Sequence, residues 1–221
     1  MNRPHAVILS GGGLASLVAG ALAQKNASPS SLRLTLLHID DGRENAGLRL
    51  RYAKAQAQSL IDARVHRVEA QHLVAKAVGL DGSRYPDAPL RWSQLLLAAA
   101  GHALGHDADR VIWPVAHAAD VERSVRVTST TLLIDGLSRL EAPKPPAIET
   151  PLSELTPVQV IRLGEHLKVD WTLAWSCLRR GRTPCSACEG CRKRSESFQA
   201  AGLPDPLKSA DAVLSGFAEA R

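Results

Sequence analysis

The chain has 221 residues and a mass of 23.6 kDa, room for one large domain or a main domain with a small appendage, and too little for two independent enzymes. With 45% hydrophobic and 22% charged residues it is neither a disordered chain nor a collagen-like repeat, and its 4% of aromatics leaves a core built mainly from alanine and aliphatic side chains, which favours helices. The formal charge of +5 suits an anionic small molecule or RNA without choosing between them.

The apolar run from Ala6 is broken by three glycines and lacks a small-residue cleavage site, and no stretch is long enough to cross a bilayer. A cytoplasmic protein with no membrane partner and with reduced thiols is therefore expected.

His5 to Leu9 is a β-rich apolar run that stops at Ser10-Gly11-Gly12-Gly13, and Leu14 to Ala23 follows as a helix that is apolar nearly all round. A buried strand, a glycine turn and a buried helix open an α/β unit. Leu32 to Ile39 reads as a second buried strand ending in Asp40-Asp41-Gly42. Ligands of open parallel sheets gather at such carboxyl ends. Leu48 to Leu60 has helical spacing, Ala63 to Val68 is a strand, Arg91 to Leu104 a helix and Arg110 to Val115 a strand. Asp120 to Leu140 reads as a further helix, although Val125 to Thr128 is strand-like. The alternation predicts a doubly wound, mainly parallel sheet with helices on both faces.

Pro143, Pro145, Pro146 and Pro151 mark a stiff connection, which divides the chain into an α/β domain over 1–145 and a helical region over 146–221. The second part starts a helix with Thr156 as N-cap and Pro157 at the first helical position. Helical stretches around Glu196 and Phe217 close the chain.

All four cysteines fall late, at Cys177, Cys185, Cys188 and Cys191, the last three as C-x-x-C-x-x-C. Two-residue spacers let thiolates turn back onto one ion, so a structural zinc held by all four is expected, with an iron–sulfur cluster as the alternative. Four protein ligands leave zinc no open position, which puts catalysis elsewhere. Arg179, Arg180, Arg182, Arg192, Lys193 and Arg194 crowd this knuckle, as an anion-binding face or as a solvated basic one. Among the eight histidines only His102 and His106 are spaced i, i+4, with Gly105 expected to end the helix between them. Helix packing or a solvent face explains such a pair, and no second metal site is expected.

Ser10, Gly11, Gly12, Gly13, Leu14, Ala15 and Ser16 lie between the first strand and the first helix, where bare amides and a helix amino end attract phosphate. A Walker P-loop is excluded, since no Gly-Lys-Ser/Thr follows. A dinucleotide fingerprint is open if Gly11, Gly13 and Ser16 take its three positions and Asp40 or Asp41 holds the ribose.

The glycine turn, together with Asp170-Trp-Thr-Leu-Ala-Trp-Ser-Cys177 and the cysteine knuckle, resembles the 7-cyano-7-deazaguanine synthase (QueC) family of PP-loop ATP pyrophosphatases. In the final third, Thr150-Pro151-Leu152, Leu155-Thr156, Ile161-Arg162-Leu163-Gly164, Trp175-Ser176-Cys177, the other cysteines, Arg192, Arg194, Phe198 and Ala201-Gly202-Leu203 fall in the family's order. Asp40, Gly42, Pro89 and Arg91 match earlier.

The resemblance implies an adenine nucleotide alpha hydrolase-like fold that binds ATP, with magnesium, on Ser10 to Ser16. It implies zinc on the four cysteines, a homodimer, and 7-carboxy-7-deazaguanine and ammonia as the other substrates. No stable nucleic-acid partner is expected. Asp40 and Arg91 are the catalytic candidates. The family loop reads Ser-Gly-Gly-x-Asp-Ser; paired from its closing serine, the loop here puts Ala15 on the aspartate. Trp92 and Trp113-Pro114-Val115-Ala116-His117 replace polar family elements, and Pro157 and Gln159 replace a lysine and a glutamate. A diverged paralogue that activates another carboxylate, or only binds nucleotide, is the second reading. A dinucleotide-dependent oxidoreductase and an RNA-binding zinc module are weaker alternatives.

Overall fold

A computed structural model describes residues 3–27, 31–43, 45–70, 90–118, 120–179 and 181–208. Five strands, β1 (His5–Leu9), β2 (Arg33–Asp40), β3 (Ala63–Glu69), β4 (Arg110–Ile112) and β5 (Ala147–Glu149), form one parallel sheet in the order β3-β2-β1-β4-β5. The helices are α1 (Leu14–Asn26), α2 (Ala46–Gln58), α3 (Arg91–Gly105), α4 (Val121–Glu141), α5 (Pro157–His166) and α6 (Glu189–Ala201).

Strand alternation sorts the core onto two faces. Ala6, Ile8, Leu34, Leu36 and Ile112 pack against Leu17 and Val18 of α1, Val160 and Ile161 of α5, and Phe198 of α6. Val7, Leu37, Ile39 and Val111 pack against Leu96, Ala99 and Ala103 of α3 and Val127 and Ile134 of α4. Wedged between the sheet and α5, α1 is apolar nearly all round because it is covered on both sides. This is the doubly wound arrangement expected, and its direction of winding reverses between β1 and β4, where the carboxyl ends of the two strands open a crevice.

The Asp120 to Leu140 stretch is one helix throughout, and its strand-like valines are absorbed: Val127 turns into the core, and Val125 faces out. β5 was not foreseen. It lies just beyond the 145–146 boundary drawn from the prolines, yet it pairs with β4, and Leu152, Ile161, Trp171 and Phe198 share the core of β1 and β2. The carboxyl-terminal region is thus packed onto the sheet. Helix α5 begins as expected, with Thr156 accepting from the Gln159 amide (3.3 Å) and the Gln159 side chain accepting from the Thr156 amide (2.8 Å), a full capping box. Pro89 and Phe217 lie outside the described residues. Among the described residues no helix is long and apolar enough to cross a membrane.

Candidate active site and cysteine centre

The glycine loop leaves β1 at Ser10, whose amide still donates to Leu37 of β2 (2.8 Å). Below it, buried His38 donates from Nδ1 to the Ser10 carbonyl (3.0 Å); burial and the nearby Arg49 charge keep this imidazole neutral by lowering its pKa. Gly12 adopts φ +67°, and a side chain there would collide with the Arg49 carbonyl on α2. Only glycine meets both conditions. Helix α1 then starts at Leu14 with Gly13 as N-cap and no side chain bonded to its first amides, so the helix amino end faces the crevice bare. Ser16 turns the other way: its hydroxyl donates to Gln56 (2.9 Å) and to the Gly13 carbonyl (3.1 Å).

Around this loop lies a cleft of about 450 Å³. Ser10, Gly11, Gly13, Leu14, Ala15 and Ser16 form one wall. Trp113, Pro114, Val115 and Ala116 after β4 form the opposite one, with Trp92 of α3 between them. The Trp92 and Trp113 rings are 6.1 Å apart, and the Arg123 guanidinium of α4 sits 5.9 Å from Trp92. Ser176 and Lys193 reach in from the cysteine region. They can do so because α6 begins against the Ser176 carbonyl at Gly190, where any side chain would clash.

The two acids at the carboxyl end of β2 part company. Asp40, expected in catalysis, points away: it accepts from Arg67 of β3 (2.7 Å) and from the Gly42 amide (3.0 Å), and it does not line the cleft. Asp41 does. Its side chain, 1% exposed, lies 2.6 Å from Arg91, 3.3 Å from Arg43 and 3.5 Å from Arg49. Arg91, as expected, opens α3 at the cleft wall, but its charge is matched by Asp41. Burial alone pushes the Asp41 carboxyl up, and the Arg49, Arg91 and Arg43 charges more than reverse it, holding it below the usual carboxylate range.

A depressed carboxylate pKa stabilises the fold above the ordinary carboxylate range, and that stabilisation drains as pH falls through the folded-state value. Asp41→Asn is therefore expected to cost on the order of 3 kcal/mol at neutral pH, by leaving buried guanidinium charge uncompensated. Urea titrations at pH 7 and pH 3.5 should show the gap between wild type and variant shrinking at the lower pH.

The four cysteines come together as expected. Every Sγ lies within 4.8 Å of the others, with Cys185 to Cys191 at 4.0 Å and Cys177 to Cys188 at 3.9 Å. A tetrahedral ion with metal–sulfur bonds of about 2.3 Å needs sulfurs about 3.8 Å apart, so the donor set fits a single ion. A cubane seats each thiolate on a different iron and would spread the sulfurs further. Amides of Leu178, Cys185 and Cys188 point at Sγ atoms at 3.3–3.4 Å, and they favour thiolates.

This centre is wired to the glycine loop. The Trp175 amide donates to Gly12 (2.8 Å), the Trp175 indole and Asn45 both donate to the Cys177 carbonyl (2.9 Å each), and Gln56 donates to Gly13 and Leu173 (3.0 Å each).

The basic crowd around the knuckle divides. Arg194 is buried on Asp205 (2.9 Å) and the carbonyls of Ala174 and Trp171, so it holds structure. Lys193, paired with Glu189 at 2.5 Å, borders the cleft. Arg179, Arg182 and Arg192 are exposed, and Arg180 lies outside the described residues. Arg49 and Arg123 have no spacing in the sequence that points to the cleft, while Lys193 stood out only within the basic crowd and Ser176 only within the family match.

A parallel sheet wound both ways, with a glycine loop and a bare helix amino end at its switch point, has the architecture of the PP-loop, adenine nucleotide alpha hydrolase-like class that the sequence resemblance implies. Two solved structures share the fold. The U34-tRNA thiolase NcsA from Methanococcus maripaludis, with its [4Fe-4S] cluster, superposes with a TM-score of 0.55 and 15% identity over 90% of this chain and 66% of that one. NMN synthetase from Francisella tularensis does so with 0.51 and 16% over 97% and 83%.

Residues 5–202 match the family model described as queuosine biosynthesis protein QueC, and the chain belongs to that family. The 7-cyano-7-deazaguanine synthase of Methanothrix thermoacetophila is 26% identical over 231 aligned positions, 92% of this chain and 98% of that protein. That of Archaeoglobus fulgidus is 33% identical over 128 (55% and 51%). That of Trichodesmium erythraeum is 44% identical over 61, a stretch spanning only 28% of either chain.

Proposed function

We propose that this protein is an ATP-dependent carbon–nitrogen ligase that converts 7-carboxy-7-deazaguanine and ammonia to 7-cyano-7-deazaguanine. The observation that carries the reading is the pairing, in one cleft of a QueC-family fold, of a bare-amide phosphate cradle with an aromatic, cation-edged slot. ATP phosphates rest on the amides of Gly13 to Ser16 and meet the positive charge of Arg49, Lys193 and Arg123. The flat heterocycle lies against Trp92 and Trp113. Its carboxylate oxygen attacks the α-phosphorus and pyrophosphate leaves; ammonia then adds to the acyl carbon and AMP departs with that oxygen. The oxygen of the amide so formed attacks the α-phosphorus of a second ATP with loss of pyrophosphate, and AMP departs with that oxygen as the nitrogen gives up its two protons, which leaves the nitrile. The protein's part is charge stabilisation and alignment, which a cationic cleft supplies.

The cysteine centre is read as a structural zinc site. Its four thiolates close the coordination shell, so zinc there would hold the Trp175 to Cys177 segment against Gly12 and would bind no substrate. Magnesium finds a poor fit: Asp41 is the cleft's carboxylate among the lining residues, and both its oxygens already face arginines. We assign it no step. In solution a cytoplasmic homodimer is expected, and α4 offers a face for it, with Val125, Leu132, Leu133 and Leu140 all more than half exposed.

Incubation of the protein with ATP, magnesium, ammonium and 7-carboxy-7-deazaguanine, read by mass spectrometry, tests the reading. Nitrile together with AMP is the expected result. Nucleotide binding without any acid-dependent turnover would select the second reading, a diverged paralogue acting on another carboxylate or only binding nucleotide. What favours that second reading is the loop itself. Counted from Ser10 at the strand end, the family's aspartate position holds Leu14; counted from Ser16, it holds Ala15. Neither is acidic. Ala15→Asp and Leu14→Asp are expected to differ, one of them raising turnover several-fold at limiting magnesium. Unchanged rates in both would show that the missing carboxylate is not limiting.

A further inference from the structure

We infer that the chain carries a second metal site, in which His66 of β3 and His102 and His106 at the end of α3 hold one divalent transition ion of the zinc class. The two helix-end histidines stand four residues apart, and the third arrives from β3, the strand at one edge of the sheet. One ring nitrogen from each lies within 4.8 Å of the other two. His66 Nδ1 and His102 Nε2 are 3.0 Å apart, close to the roughly 3.3 Å separation that two imidazole nitrogens adopt on tetrahedral zinc with bonds of about 2.0–2.1 Å. The His102 and His106 rings stack at 4.0 Å and 26°.

The surroundings suit a ligand set. His106 Nδ1 donates to the His102 carbonyl (2.8 Å), which leaves the lone pair on Nε2, the arrangement in which metal-binding histidines are usually held. An ion needs all three rings neutral. His106 is exposed and His66 and His102 are half-buried, giving the ion a path from solvent. Three imidazoles leave a fourth position open to water or an anion.

This site is not part of the cleft. Arg91 starts α3 at the cleft and His102 stands eleven residues on, about 16 Å along the helix at 1.5 Å per residue. An ion there would clip the edge strand to the far end of α3.

The test uses the full chain without an affinity tag, stripped of metal, reloaded at low-micromolar free zinc and freed of excess by gel filtration, with zinc and sulfur quantified by mass spectrometry. Two ions per chain are expected for the wild type and one for His66→Asn/His106→Asn, the remaining ion on the cysteines serving as the control for folding. Reloading with cobalt should give the same thiolate charge-transfer bands in both proteins, and extra weak visible bands only in the wild type. Should the double variant fail to fold, His106→Asn alone, at an exposed position past the helix end, carries the same comparison. One ion per wild-type chain, or a second ion that survives the substitutions, would overturn the inference.

Discussion

Replacing Cys177 or Cys191 by serine is expected to abolish metal retention, lower the melting temperature by more than about 10 °C and weaken ATP binding at least tenfold. A structural zinc contributes several kcal/mol to folding, and in a domain of this size each kcal/mol moves the midpoint by about 2–4 °C. Both thiols are buried, so the lost ligand is not replaced by solvent without rearrangement. The effect on ATP follows from the hydrogen bonds: Cys177's carbonyl anchors Asn45 and Trp175, and the Trp175 amide holds the Gly12 carbonyl. Losing the ion frees that strap and lets the glycine loop drift. Differential scanning fluorimetry and nucleotide titration, each with and without a chelator, check this. A chelated protein with unchanged melting and ATP affinity would contradict the bracing role.

Gly12→Ala is the second large effect, with Gly13→Ala as its control. At φ +67° the alanine is strained before any contact is considered, and its methyl would meet the Arg49 carbonyl and, at 3.0 Å, Tyr52 Cβ. Neither neighbour can yield: Arg49's carbonyl is part of helix α2 and Tyr52 is buried against Trp175. A cost on the order of 2–4 kcal/mol is expected. Gly13 has φ −97°, and a methyl there comes no nearer than 3.7 Å to the Trp175 carbonyl. Its alanine variant should stay within about 1 kcal/mol of wild type. Urea unfolding separates the two. Equal stabilities would mean that the loop is not seated on α2 as described.

The alternation of short apolar runs with helical spacing was enough to read β1 to β4 and α1 to α5, because each is a strong local pattern that the core then uses as it stands. β5 escaped, being three residues between Pro146 and Pro151 that owe their conformation to β4. The grouping of the four cysteines was legible, since they are close in sequence and share one chemistry. The cleft was legible at its glycine loop and Arg91, whereas Trp92, the Trp113 to Ala116 stretch and Lys193 stood out in the sequence without being placed there. Asp40 ends β2 and Asp41 is the next residue, and adjacent side chains at a strand end face different ways, so composition could not say which one meets the arginines. Arg49, Lys193 and His66 reach their sites through the packing of α2, α6 and β3, which leaves no trace in spacing along the chain.

The step proposed for this cleft, beside the glycine loop, is the activation of a carboxylate by ATP. It is tested most directly by supplying 7-carboxy-7-deazaguanine labelled with ¹⁸O in its carboxylate and analysing the nucleotide product. Transfer of one labelled oxygen to AMP, lost in Gly12→Ala, is the expected result. AMP free of label while the acid is consumed, or label transfer undiminished in that variant, would contradict the account.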